Sequence, residues 1–208
     1  MGEVPDGPAL VDRLSATEPG SNERFLLLRA LGKEGTPAAT ETLAEYLYSP
    51  NHKDNLAAAF TLRDIGSDEA VDKLAECLGG GSASLTFRIA TDLWKMRAER
   101  AVPALARCME TRREELDDSA RGALMRTLAR MARPEEVQAL EAGLYDRRRS
   151  TRMAAATGLL NVPTPEAREA LERAVSQQRP FYGWHALKAL MEKRRRGAAE
   201  TNAEPPTM

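Results

Sequence analysis

Two histidines, His52 and His185, are all that the 208 residues contain, and 133 positions separate them. Imidazole-activated nucleophiles and histidine-ligated metals need partner groups converging on the ring. The chain has no G-x-S-x-G elbow, Walker loop, H-E-x-x-H or paired C-x-x-C to provide them. Its two cysteines, Cys77 and Cys108, each stand three residues after a leucine, Leu74 and Leu105, at equivalent points of adjacent helical copies. Stacked helices lie about 8–10 Å apart, whereas a disulfide needs Cα atoms within about 7 Å, so both thiols are expected to be free, as in a reducing cytosol. Glu114, Glu115, Asp117 and Asp118 gather carboxylates of the kind that ligate hard cations. Arg112 and Arg113 adjoin them and no ligand-spaced glycine turn is present, so a solvated loop is expected instead. No catalytic residue, metal ligand or cofactor is expected.

The most pointed cationic feature is Arg147, Arg148 and Arg149 with Arg152 close behind. They run into Ser150-Thr151, where a helix is expected to begin. Free backbone N–H groups and guanidinium forks there can hold a phosphate or a nucleic-acid backbone; a solvated inter-repeat loop is the competing expectation. Arg194 to Arg196 adds to such a patch. Phe181, Tyr182, Trp184 and His185 concentrate rings near the C-terminal end, either capping the core there or anchoring a partner.

The elements that position these residues are helical. Aromatic residues make up only 5% and charged residues 29%, a helix-forming composition poor in strand formers. The stretch Asn55 to Leu78 shows the plan: Ala58, Ala59, Leu62 and Ile65 lie on one helix face, Gly66 ends that helix, and Val71, Leu74 and Leu78 form a second. Ser67 is the expected cap of the second helix, with Asp68 and Glu69 in its first turn. The same phrase recurs around Phe25, Leu28, Leu31 and Gly32; around Ile89, Leu93 and Leu105; around Leu124, Leu128 and Leu140; and around Ala155, Leu159 and Leu171. Thr36-Pro37 and Thr164-Pro165 fit cap and first helical position. The key residues Leu28, Leu62, Leu93, Leu128, Leu159 and Leu187 are separated by 34, 31, 35, 31 and 28 residues, the period of a helical array.

The second-helix openings SDEAVDKLAECL, RAERAVPALARCM, ARPEEVQALEAGL and PTPEAREALERAV are variants of one phrase. They resemble HEAT repeats, specifically the short bacterial kind found in phycobilin lyases. The fold this implies is all-α, a right-handed α-α solenoid of about five helical hairpins with a C-terminal half-repeat. Residues 1–20 would cap the array, 21–192 form it, and 193–208 make a basic and then disordered tail. HEAT-like hydroxylases hold iron on repeated His-Glu pairs, which this chain lacks. A HEAT-like DNA glycosylase family works with aromatic and acidic groups on its inner surface; Trp94 with Asp92 is the nearest echo, but both belong to a first helix. The resemblance also puts Arg152 at the inward arginine position of a first helix.

By the same resemblance, second helices line the concave face. Positions two before, two after and five after each central leucine are Asp72, Glu76 and Gly79; Pro103, Arg107 and Glu110; Gln138, Ala142 and Tyr145; and Glu169, Arg173 and Ser176. Their signs alternate, as on a protein-binding surface, where a phosphate-tracking groove needs cations in line. The expected role is a non-catalytic adaptor presenting this face to a protein. The alternatives are a nucleic-acid or phosphate contact at Arg147–Arg149 and, from the family resemblance alone, help in cofactor attachment. Net charge is −1, with 11 Lys and Arg against 16 Asp and Glu in residues 1–104, and 19 against 15 in residues 105–208. No run approaches the ~18–20 apolar residues of a membrane span, and the first 20 residues lack a basic-then-apolar signal. A cytoplasmic, bacterial protein is expected.

Overall fold

The computed structural model describes residues 7–131, 133–176, 188, 190–192 and 194–195. Phe181, Tyr182, Trp184, His185 and Leu187 of the expected last helix lie outside the described residues, as do residue 193 and residues 196–208 of the expected tail. The described elements are α1 (Gly7–Ala16), α2 (Asn22–Glu34), α3 (Pro37–Tyr46), α4 (His52–Ile65), α5 (Asp68–Cys77), α6 (Ala83–Met96), α7 (Val102–Thr111), α8 (Asp118–Met131), α9 (Val137–Leu144), α10 (Arg149–Asn161) and α11 (Pro165–Ser176). Single 3-10 turns, Glu99–Ala101 and Pro134–Glu136, lead into α7 and α9. No strand occurs among the described residues; the protein is all-α.

The chain divides into two compact units, Met1–Thr127 and Leu128–Met208. In the first, α4 packs against α2, α3, α5 and α6, the arrangement of stacked helical hairpins. In the second, α10 packs on α9 and α11. The periodic leucines fill both cores: Leu28, Leu62, Leu93 and Leu128 are 0% exposed, as are Leu43, Leu74, Leu105 and Leu140 in the second helices. Leu10 and Leu14 of α1 are buried too.

Helix ends follow local chemistry. Ser21, Thr36, Ser67 and Ser82 accept from the backbone N–H three residues on, and Asn51 accepts from Lys53, so orphan amides of α2 to α6 find side-chain partners. Thr164 does the same for Ala167 at the start of α11. Gly66 ends α4 in the left-handed region at φ 66°. Sequence equivalence with Gly66 makes Gly32 the expected end of the first helix, but α2 runs on to Glu34 and stops at Gly35, φ 62°. Gly32 is a packing glycine: a Cβ there would lie 2.1 Å from Cγ2 of Thr61. Phe25, in phase with buried Ala59, is 44% exposed and is not core. α4 is packed by α2, α3, α5 and α6 and buries a wide face that includes Ala59, whereas the buried residues of α2 are Arg24, Leu27, Leu28 and Leu31, which leaves Phe25 off that face.

Gly32→Ala therefore tests the α2–α4 approach. A mid-helix Gly→Ala change in open space gains about 0.5–1 kcal/mol. Here it should cost about 1–3 kcal/mol by overpacking, because Thr61 is held in its rotamer by a 2.8 Å bond from Oγ1 to the Ala57 carbonyl. Adding Thr61→Ser, which removes the obstructing methyl, should restore most of the loss in urea unfolding.

Two arginines join parts of the first unit. Arg24 (8% exposed) on α2 donates to Asp54 Oδ2 (2% exposed) on α4 at 3.1 Å and to the carbonyls of Leu14 and Thr17. Arg112, just past α7, donates to the carbonyls of Leu78 and Gly81, both at 2.7 Å, and fastens the glycine loop after α5.

Candidate functional site

The exposed faces of the second helices carry the residues that sequence phase singled out. In the first unit Asp72 is half-buried on α5 and Glu76 exposed, while Pro103, Arg107 and Glu110 are exposed on α7. Asp72 is not free: Arg100 grips it with two 2.7 Å bonds and reaches Asp68 at 2.5 Å. Lys73 spans from Glu41 on α3, at 2.6 Å, to Glu76, at 3.9 Å. In the second unit Gln138, Tyr145, Glu169, Arg173 and Ser176 are exposed and Ala142 is half-buried. Arg173 bonds both oxygens of Glu141, at 3.0 and 2.8 Å, and lies 3.8 Å from Glu169.

Hydrogen bonds donated to these carboxylates push Arg100, Lys73 and Arg173 above their ordinary pKa values, with Asp72, Glu41 and Glu141 respectively the main causes. The surfaces of α3 and α5 in the first unit and of α9 and α11 in the second are thus laced with opposite charges. Glu41, Lys73, Arg100 and Glu141 were absent from the phase-based set. Their signal was an opposite charge about one repeat away: 32 residues separate Glu41 from Lys73 and Glu141 from Arg173.

Arg147, Arg148 and Arg149 are exposed, and α10 begins at Arg149, earlier than the expected Ser150-Thr151. Just upstream, Asp146, 3% exposed, accepts the N–H of Arg148 at its Oδ1 at 2.8 Å, a turn contact that orders the approach to the helix, while the N-cap residue Arg148 has no side-chain cap of its own. Arg152 turns back to the carbonyls of Asp146 and Arg147, both at 2.8 Å, as a loop clasp. Arg121 clasps the loop before α8 in the same way, through the Leu116 carbonyl at 2.5 Å. A buried carboxylate therefore lies at the helix start beside the arginine run.

The acidic loop also has structural employment. Asp117 accepts from the N–H groups of Ser119 and Ala120 at 2.9 and 2.8 Å, Glu115 pairs with Arg112 at 3.1 Å, and Asp118 pairs with Arg121. Asp92 is 1% exposed, held by Arg88 at 2.7 Å with Arg63 3.5 Å away, while its neighbour Trp94 is 39% exposed.

Cys77 and Cys108 are buried and unbridged. Burial pushes the Cys77 thiol up from 9.0 to about 11, against the opposing pulls of Arg112 and Tyr48; burial raises Cys108 as well. These are protonated, inert thiols rather than nucleophiles. A raised folded-state pKa favours the folded protein below the unfolded value, and that stabilisation is lost between about pH 9 and 11 as the unfolded thiol ionises. Between about pH 8 and 10.5, unfolding free energy should fall about 2 kcal/mol less in Cys77→Ala than in the parent, measured by urea titration.

Residues 56–80 match the family described as PBS lyase HEAT-like repeat. No match is found among curated proteins. Among solved structures, an engineered protein shares 16% identity over 93% of this chain and 97% of its own, with a TM-score of 0.53, a likeness of fold. Human deoxyhypusine hydroxylase, solved with glycerol, is 24% identical over 74% of this chain and 72% of its own, at TM-score 0.44. The CpcE–CpcF complex of phycocyanin lyase from Nostoc sp. PCC7120 is 18% identical over 90% and 81%, at 0.42. The chain carries a HEAT-like repeat, and it is built of stacked helical hairpins.

Proposed function

We propose that this HEAT-like chain is a non-catalytic adaptor that binds a protein through its second-helix surfaces. The observation that carries this is their charge arrangement. In the first unit Asp72 is paired with Arg100, and Glu76, Arg107 and Glu110 are exposed on the same helix layer; in the second Glu141 is paired with Arg173, and Gln138, Tyr145 and Glu169 are exposed. Mixed signs of this kind set register and partner choice in protein interfaces; phosphate binding requires cations in excess. Help in cofactor attachment is a second reading, favoured by the description of the family matched at residues 56–80.

Fluorescence anisotropy of a random-sequence duplex and single strand, at about 50 and 200 mM salt, separates the adaptor from a nucleic-acid binder. No binding is expected at either salt. Binding that weakens steeply with salt and disappears when Arg147, Arg148 and Arg149 become alanine would reverse the assignment. For the adaptor itself, a photo-crosslinking residue at position 76 or 138 should yield discrete protein adducts that Glu110→Ala with Arg107→Ala diminishes.

A further inference from the structure

The opposite side of the first unit has a different chemistry. Its first helices α2, α4 and α6 carry stripes in register at i, i+4 and i+7, which place Leu26 and Arg29, Phe60 and Arg63, and Phe87 and Trp94 on one helix layer. Leu26 is 64% exposed, and Phe87 and Trp94 are 39% exposed each. Arg88 of α6 lies 3.5 Å from the Phe60 ring centroid and Arg63 4.9 Å, so two guanidiniums and a ring form one preset surface across α4 and α6. Asp92 fixes them from below, accepting from Arg88 at 2.7 Å and lying 3.5 Å from Arg63. Arg29 continues the network through Asp64 at 2.9 Å.

The net sign of this layer is positive. Setting aside the buried pair Arg24 and Asp54, the three helices carry six Lys and Arg against four Glu and Asp, Asp92 included. On α3, α5 and α7 of the same unit the balance is two against seven. Exposed aromatic and aliphatic groups beside anchored arginines are the composition of interface hot spots.

We infer that the α2–α4–α6 face docks an acidic protein segment whose carboxylates flank apolar side chains. The apolar groups seat on Leu26, Phe87 and Trp94, and the carboxylates meet Arg29, Arg63 and Arg88. Guanidiniums already held on Phe60 and Asp92 lose little freedom when they bind, which favours affinity. A protein segment fits better than a nucleic acid because the most exposed anchor, Leu26 at 64%, is aliphatic and offers no stacking face for a base.

The test pans a random peptide library on the full chain, then titrates labelled copies of the enriched peptides. Enriched peptides should carry Asp or Glu beside Leu, Ile or Phe, and Leu26→Ser or Trp94→Ala should each raise Kd about tenfold or more. Glu45→Ala with Glu69→Ala, on the other helix layer, should leave Kd within about twofold. Circular dichroism of each variant should match the parent, since the altered side chains are exposed. Enrichment of basic peptides, no enrichment, indifference to Leu26→Ser and Trp94→Ala, or displacement by a single-stranded oligonucleotide that needs those residues would overturn the inference. Loss of binding with Glu76→Ala and Arg107→Ala instead would also overturn it, while supporting the second-helix adaptor; the two surfaces thus fail separately.

Discussion

Asp54→Ala is expected to destabilise the protein by about 3–5 kcal/mol, the usual effect of stripping one partner from a buried ion pair. Arg24 would keep the carbonyls of Leu14 and Thr17 but would remain as a charge only 8% exposed that has lost its ion-pair partner among the described residues. The Gly20 N–H, which donates to Asp54 Oδ1 at 2.9 Å, would lose its acceptor as well. Removing both charges, as Arg24→Met with Asp54→Leu, should recover most of the loss, because the pair's mutual attraction is largely offset by desolvation. A double-mutant cycle by urea denaturation measures this. A loss below about 1 kcal/mol for Asp54→Ala would mean that the pair is hydrated and contributes no more than a surface bridge.

Leu74→Asp should be at least as damaging, at about 4 kcal/mol or more, since an unpaired carboxylate would enter a site that is 0% exposed. Glu76→Asp, two residues along the same helix on its exposed side, should change stability by no more than about 0.5 kcal/mol. Thermal and urea unfolding of the two variants compares them directly. If both were equally mild, the face assigned to the core of α5 would be wrong.

The contrast between those two positions explains what was legible in the sequence. Burial of a leucine every few residues leaves a periodic trace, so the helices, their caps at Thr36, Ser67 and Thr164, and the fully buried set from Leu28 to Leu159 could be read directly. Close approaches leave no such trace. Gly32 looked like a helix terminator because its sequence equivalent, Gly66, is one, yet its role depends on where the Thr61 methyl lies in a neighbouring helix. Phe25 is in phase with a core residue, but hydrophobic phase does not report how many neighbours wrap a given helix, and α2 buries a narrower face than α4.

The exposure of the residues proposed for the site is legible in the sequence, and their pairings are not. Phase places Asp72 and Arg173 on exposed faces, but Arg100 and Glu141 reach them from neighbouring repeats, and side-chain reach is not a periodic property. Arg147 to Arg149 stand out in the sequence as a run of charge, while the buried Asp146 that holds the Arg148 N–H in the turn before α10 is a single acidic residue with no pattern around it.

The contacts between successive first helices differ from junction to junction. Gly32 yields to the Thr61 methyl, Thr127 donates to the Ala90 carbonyl at 2.9 Å, and Gly158 leaves room for Ala129, whose Cα would lie 2.8 Å from an added Cβ. Copies that resemble one another in sequence are therefore not interchangeable parts. Each is keyed to its neighbour, so the order of the modules is written into the protein, and lengthening or shortening the array by a whole module would bring together keys that do not match.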